Sequence, residues 1–188
     1  MLRSGARGAA ERHRLVDDTA DRTVRLAAEG DVRAFSRLVA DHHGPMMRVA
    51  YVITGDGELA QDAVQSAWTI AWRRLGSVRD RARIEPWLVA VAANEARGLL
   101  RSRRRHPVVE IPPDLVGAGG DPGGEIDQLD LARALSGLSP DDRTLLALRF
   151  VAGLDSGEIA AHLGLSASGV RSRLARLLDR LRGELDHG

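Results

Sequence analysis

The strongest constraint on how this chain folds lies in its middle. Four of the seven prolines, at 107, 112, 113 and 122, and five glycines, at 117, 119, 120, 123 and 124, crowd into residues 107–124. Proline fixes φ and removes a backbone donor, and glycine leaves the backbone unconstrained, so together they resist regular structure. This predicts a linker over 106–124 between two folded parts, 24–105 and 125–188. A linker this long and irregular predicts that the two parts move relative to each other. Residues 1–23 carry no sustained apolar face and read as a flexible tail.

Both parts have the periodicity of helices. Asp31 stands where a helix cap belongs, before a stripe of Phe35, Leu38, Val39, Met46, Val49 and Ala50 that runs to about Ile53. Residues 54–57 break that helix. A second stripe follows, with Leu59, Ala60, Ala63, Val64, Ala67, Trp68, Ala71, Trp72 and Leu75, and Gly76 ends it. After a charged loop from Ser77 to Arg83, Pro86 suits the first turn of a third helix, which carries Trp87, Leu88, Val91, Ala92, Leu99 and Leu100 and ends in an Arg run. Beyond the linker, Leu129, Ala132, Leu135 and Leu138 make a short stripe. Ser139-Pro140-Asp141-Asp142 reads as a helix start, followed by Leu145, Leu146, Leu148, Phe150 and Val151 and stopped at Gly153. Ser156 and Ser166 are candidate caps for two more helices, separated by a turn at Gly164. The expected fold is all-α, as two small helical domains.

Composition removes several functions. The chain has no cysteine, so disulfides, thiolate metal sites and cysteine nucleophiles are excluded. No apolar run reaches the length of a membrane span, and the N-terminus lacks the apolar core of a secretory signal; the expectation is a cytoplasmic protein without membrane insertion. Every basic residue is arginine, so there is no phosphate-loop lysine. His42, His43, His106 and His162 lack metal-ligand spacing, and the Gly-rich stretch 117–124 follows no strand. No catalytic constellation, metal site or cofactor is expected. Charge is segregated: 19 Arg face 13 acids in 1–106, one Arg faces eight acids in 107–142, and seven Arg face five acids in 143–188. Two basic ends thus flank an acidic middle.

The segment Glu158–Leu178 reads as a helix-turn-helix. Ile159 and Leu163 face a core, Ala160 is small enough for two helices to cross, Gly164 permits the turn, and Leu165 plugs it. Val170, Leu174, Leu177 and Leu181 anchor the second helix. That leaves Ser168, Arg171, Ser172 and Arg176 pointing outward, with Arg173 at the edge. Such a helix fits the major groove and offers donors to bases and phosphates. Taken alone, the segment is also compatible with a helical hairpin whose arginines are merely solvated.

Two further segments carry a family resemblance. Residues 59–75 resemble the conserved region 2 helix of sigma-70 family factors, and Trp87–Arg97 with the Arg run after it resembles that domain's promoter-melting helix. Residues 125–185 are similar to region 4. With only these two regions, the chain resembles the extracytoplasmic-function (ECF) group. The resemblance implies a sigma factor, not an enzyme, that brings core RNA polymerase to promoters. It implies that Asp62, Gln65, Ser66 and Trp72 contact the polymerase. Trp87 and Asn94 would lie at the −10 element, with Arg97 and Arg101 along the phosphates, and the Ser77–Arg83 loop would hold a flipped base. Ser168, Arg171, Ser172, Arg173 and Arg176 would read the −35 element, and the acidic linker would run through the polymerase. An anti-sigma partner is implied as well. The chain departs from the family where a Gly-Thr pair usually opens the recognition helix; Ser168 and Gly169 stand there.

The sequence is also compatible with two other functions. A stand-alone regulator would bind duplex DNA by itself, usually as a dimer. A helical interaction protein would show no salt-dependent DNA binding.

Overall fold

The computed structural model describes residues 21–78, 80–105 and 137–185. The linker, the tail before residue 21 and the stripe from Leu129 to Leu135 lie outside them. The described residues are helices joined by short turns, with no strand among them.

Residues 21–28 form a short helix that buries Val24 and Ala27. Three long helices follow: α1 (Val32–Thr54), α2 (Gly57–Arg74) and α3 (Ile84–Arg105). Asp31 caps α1 as expected, its Oδ1 accepting the Ala34 N–H at 2.9 Å. The helix runs on through Pro45, although proline removes a backbone bond and costs about 3 kcal/mol in a helix interior. Burial of Met46, Val49, Ala50 and Ile53 just beyond it offsets that cost. Gly55, at φ 70°, ends α1, and Asp56 then caps α2 through the N–H groups of Glu58 and Leu59. The buried face of α2 is Ala60, Ala63, Val64, Ala67 and Ala71. Such small residues allow the three helices to pack against one another closely. The far end of α3 returns to the start of α2, where Arg103 donates to Asp56 Oδ2 at 3.4 Å.

The first described helix of the second part is α4 (Pro140–Leu146), capped by Ser139 as expected. One π-helical stretch, Ala147–Val151, follows directly, closed by an Ala152 N–H to Ala147 carbonyl bond of 3.0 Å. Gly153, at φ 70°, lets the Leu154 N–H return to the Leu148 carbonyl. Then come α5 (Ser156–Leu163) and α6 (Ala167–Leu185).

The structure departs from the sequence expectations at two points, the cap of α5 and the turn after it. The cap of α5 is Asp155, not Ser156: Asp155 Oδ1 accepts from Gly157 and Glu158, while Glu158 Oε2 accepts the Asp155 N–H at 2.7 Å. This reciprocal box satisfies an extra backbone donor, which a Ser156 cap has no acidic partner to do. Leu165 does not plug the turn but is 45 % exposed, because the fully buried Ile159 and Val170 already fill the space between the helices. Phe150 and Val151, in the π stretch, face solvent.

The two parts are in contact. Helix α1 packs on α4 and on the π stretch, and α3 packs on α4. Leu138, Leu145, Leu146 and Leu148 join the same buried core as Leu88 and Val49. The linker's length predicts parts that move relative to each other; in the structure they share an apolar seam.

Candidate nucleic-acid interface

The helix-turn-helix is built as its sequence requires. Gly164 ends α5 at φ 67°, a conformation that strains residues bearing a Cβ, and its N–H reaches the Ala160 carbonyl. The Leu165 N–H takes the same carbonyl at 3.0 Å. Ser166 caps α6, its hydroxyl accepting the Gly169 N–H at 3.0 Å. A Cβ at Gly169 would stand 3.0 Å from that hydroxyl, which is a physical reason for glycine there. Val170, Leu174 and Leu177 are buried and fix α6 against α5. Ser168, Arg171, Ser172 and Arg176 are exposed on one side of α6, and Arg173 is half-buried at its edge. Arg173 Nε donates to Asp142 Oδ1 of α4 at 2.8 Å.

The third helix of the first part carries the other candidates. Asn94 is exposed, so it is not a satisfied buried amide. Arg97 sits one turn on and donates weakly to the Asn94 carbonyl oxygen at 3.4 Å. Its Nε and Nη2 both donate to Asp141 Oδ1, at 2.9 and 2.6 Å. Arg101 is exposed, and Trp87 is half-buried against the core. The adjacent carboxylates Asp141 and Asp142 therefore hold one arginine from each set, Arg97 of the −10 candidates and Arg173 of the −35 candidates. Two 3-10 turns, Leu75–Ser77 and Arg81–Arg83, bracket the Ser77–Arg83 loop, and the second leads into α3. Arg83 pairs with Glu158 of α5, a second ionic link between the two parts.

The polymerase candidates sit on α2. Asp62, Gln65, Ser66 and Trp72 are all exposed. Gln65 and Trp72 open into a groove of about 730 Å³ between α1 and α2. Three lining residues come from α1: Phe35, Val39 and His43. The Phe35 ring stands edge-on to Trp72, with centroids 4.8 Å apart, and to Trp68 at 5.6 Å. The Trp68 indole N–H donates to His43 Nδ1 at 3.3 Å. Sequence reasoning missed the α1 half of this groove, although Phe35, Val39 and His43 recur at spacings of four, one edge of a helix.

His162 lies at the end of α5, partly buried. Burial pushes its pKa below the usual 6.5, and the nearby Arg83 guanidinium adds to that. The fold thus prefers neutral His162. Its contribution to stability is complete above about pH 6.5, where the unfolded chain is also neutral, and is lost as pH falls through that value toward the lowered one. We expect the thermal midpoint to drop more steeply between pH 7 and pH 5 in the natural chain than in His162→Gln. Equal slopes in a pH series of melting curves would remove this histidine from the account.

The comparisons with known proteins fit this geometry. The family model described as Sigma-70 region 2 matches residues 38–106, and the one described as Sigma-70, region 4 matches 128–181. The chain is 34% identical over 168 residues to a probable RNA polymerase sigma factor, RfaY, of Xanthomonas campestris pv. campestris. That match takes in 85% of this chain, which spans only 42% of that relative's length. It is 31% identical over 159 residues to the ECF RNA polymerase sigma factor SigL of Mycobacterium tuberculosis, covering 79% of this chain and 86% of SigL. Among solved structures, CnrH in complex with the cytosolic domain of CnrY superposes with a TM-score of 0.67 at 27% identity, covering 89% of this chain and 97% of the other. A region 2 helical bundle, followed by a region 4 helix-turn-helix and similar along most of its length to ECF factors, places this chain in the sigma-70 family of RNA polymerase sigma factors, in its extracytoplasmic-function group.

Proposed function

We propose that this chain binds core RNA polymerase through the α1–α2 groove and directs it to promoters with a −10 and a −35 element. The observation that carries the reading is the outer face of α6. Four donor side chains, Ser168, Arg171, Ser172 and Arg176, point outward from a helix whose apolar side is fully committed to packing. Arginine offers a planar fork that matches guanine O6 and N7, and its charge is drawn to phosphate. At the −10 element, Trp87 and Asn94 meet unpaired bases, with Arg97 and Arg101 along the backbone. Unstacking a base costs a few kcal/mol, which a basic helix end and a stacking surface offset. Arg97 releases Asp141 in the act, since that carboxylate engages both its Nε and its Nη2 and leaves only Nη1, which is turned to Asn94.

Gln65 in the groove, with Asp62 and Ser66 on the exposed face of α2, supplies polar contacts to the polymerase, and Trp72 supplies the apolar anchor. An anti-sigma protein is the expected regulator, in keeping with CnrH having been solved as a complex with CnrY. The place of action is the cytoplasm, where the polymerase is. No described helix is long and apolar enough to cross a membrane.

The test separates this reading from a stand-alone regulator. Labelled promoter duplex is titrated with this protein alone and with its mixture with core polymerase. Specific retention only with the polymerase present is the expected result. Tight, specific binding by the protein alone, as a dimer, would transfer the assignment to the regulator.

A further inference from the structure

Arg173 is tied to a second helix, as Arg171 and Arg176 are not among the described residues. Its Nε–H goes to Asp142 Oδ1 at 2.8 Å, and its side chain is 36 % exposed. Asp142 is more deeply set, at 16 %. The second Asp142 oxygen accepts the Ser139 hydroxyl at 2.7 Å, and the Asp142 N–H donates to that hydroxyl oxygen at 3.1 Å. Half of this carboxylate therefore belongs to the start of α4, while the other half reaches across to the recognition helix. Capping alone needs only Ser139 and the Asp142 backbone.

A guanidinium tied at Nε is fixed in direction. Its two Nη groups take no other partner among the described residues. An arginine left loose in solvent must give up its rotamer freedom when it binds, whereas one fixed beforehand has already done so.

We propose that Asp142 is a positioning residue for promoter recognition. It aims the Nη groups of Arg173 at a phosphate beside the −35 bases that Arg171 and Arg176 read. This rests on the −35 assignment made above. Plain electrostatics predicts the opposite sign: an anion close to DNA repels it, so removing Asp142 should tighten binding. The two accounts are thus separable by direction alone.

The experiment uses holoenzyme, assembled from core polymerase and this protein, on a promoter duplex with an intact or scrambled −35 element. Affinity is measured across a salt series. Asp142→Asn is expected to weaken −35-dependent binding about tenfold and to lower the salt slope by about one, the mark of one lost phosphate contact. Arg173→Ala should do the same, and the double variant should be no weaker than Arg173→Ala alone. Asp179→Asn, an equal charge change further along α6, should leave affinity near that of the natural chain. Unchanged or tighter binding by Asp142→Asn, or losses that add in the double variant, would overturn the proposal. Should Asp142→Asn not assemble, Arg173→Lys decides: it keeps the charge but lacks the fork, so the same loss is expected and full binding overturns. If Arg171→Ala and Arg176→Ala also leave binding unchanged, it is the −35 assignment that fails.

Discussion

Replacing Arg171 and Arg176 together by Ala is expected to abolish promoter-specific transcription while core polymerase still binds. Both side chains are exposed on α6, one helical turn and a half apart, and neither supports the fold. A well-made arginine–guanine contact contributes about 1–3 kcal/mol of discrimination, so two together amount to ~2–6 kcal/mol, at least about thirtyfold in promoter affinity. Stability should shift by no more than ~0.5 kcal/mol, because no buried group or cap is touched. Run-off transcription, paired with a pull-down on core polymerase, checks both halves. Loss of core binding would contradict the division of labour between α2 and α6.

The complementary result is expected at the groove. Trp72→Ala should lower affinity for core polymerase by about thirtyfold, in the range of an aromatic anchor at ~2 kcal/mol or more. Trp72 is 43 % exposed with Phe35 set edge-on beneath it, an arrangement that keeps a large apolar surface ready for a partner. Losing that ring contact also costs stability of about 1 kcal/mol, visible in the melting curve. Asp62→Ala with Gln65→Ala should weaken binding less, because exposed polar contacts contribute modestly. A fluorescence titration at fixed salt measures all three variants. Wild-type affinity in Trp72→Ala would move the polymerase contact off this groove.

The helices, their order and most of their ends were legible in the sequence because those signals are local. The Asp31 and Ser139 caps, the Gly164 turn and the alternation of small and large residues along α2 each lie within a few residues of what they control. The α5 cap was legible too: Asp155 and Ser156 are both good caps, but only Asp155 has an acid, Glu158, three residues on to close the box. Exposure of Leu165 was not, since it depends on how completely Ile159 and Val170 fill the seam. Nor were the ion pairs. Arg97–Asp141 and Arg173–Asp142 join residues 44 and 31 positions apart, and periodicity carries no information over such distances. The groove was half legible for the same reason, as α2 displays its pattern openly while Phe35 and Val39 look like ordinary core.

The proposed role of this chain is to give core polymerase its start sites. Run-off transcription with purified core polymerase, with and without this protein, on sheared DNA from its own genome tests it directly. Discrete transcripts that appear only when the protein is added, and vanish with Arg171→Ala and Arg176→Ala, are the predicted result. No new transcripts, although the protein binds duplex DNA on its own, would contradict the account.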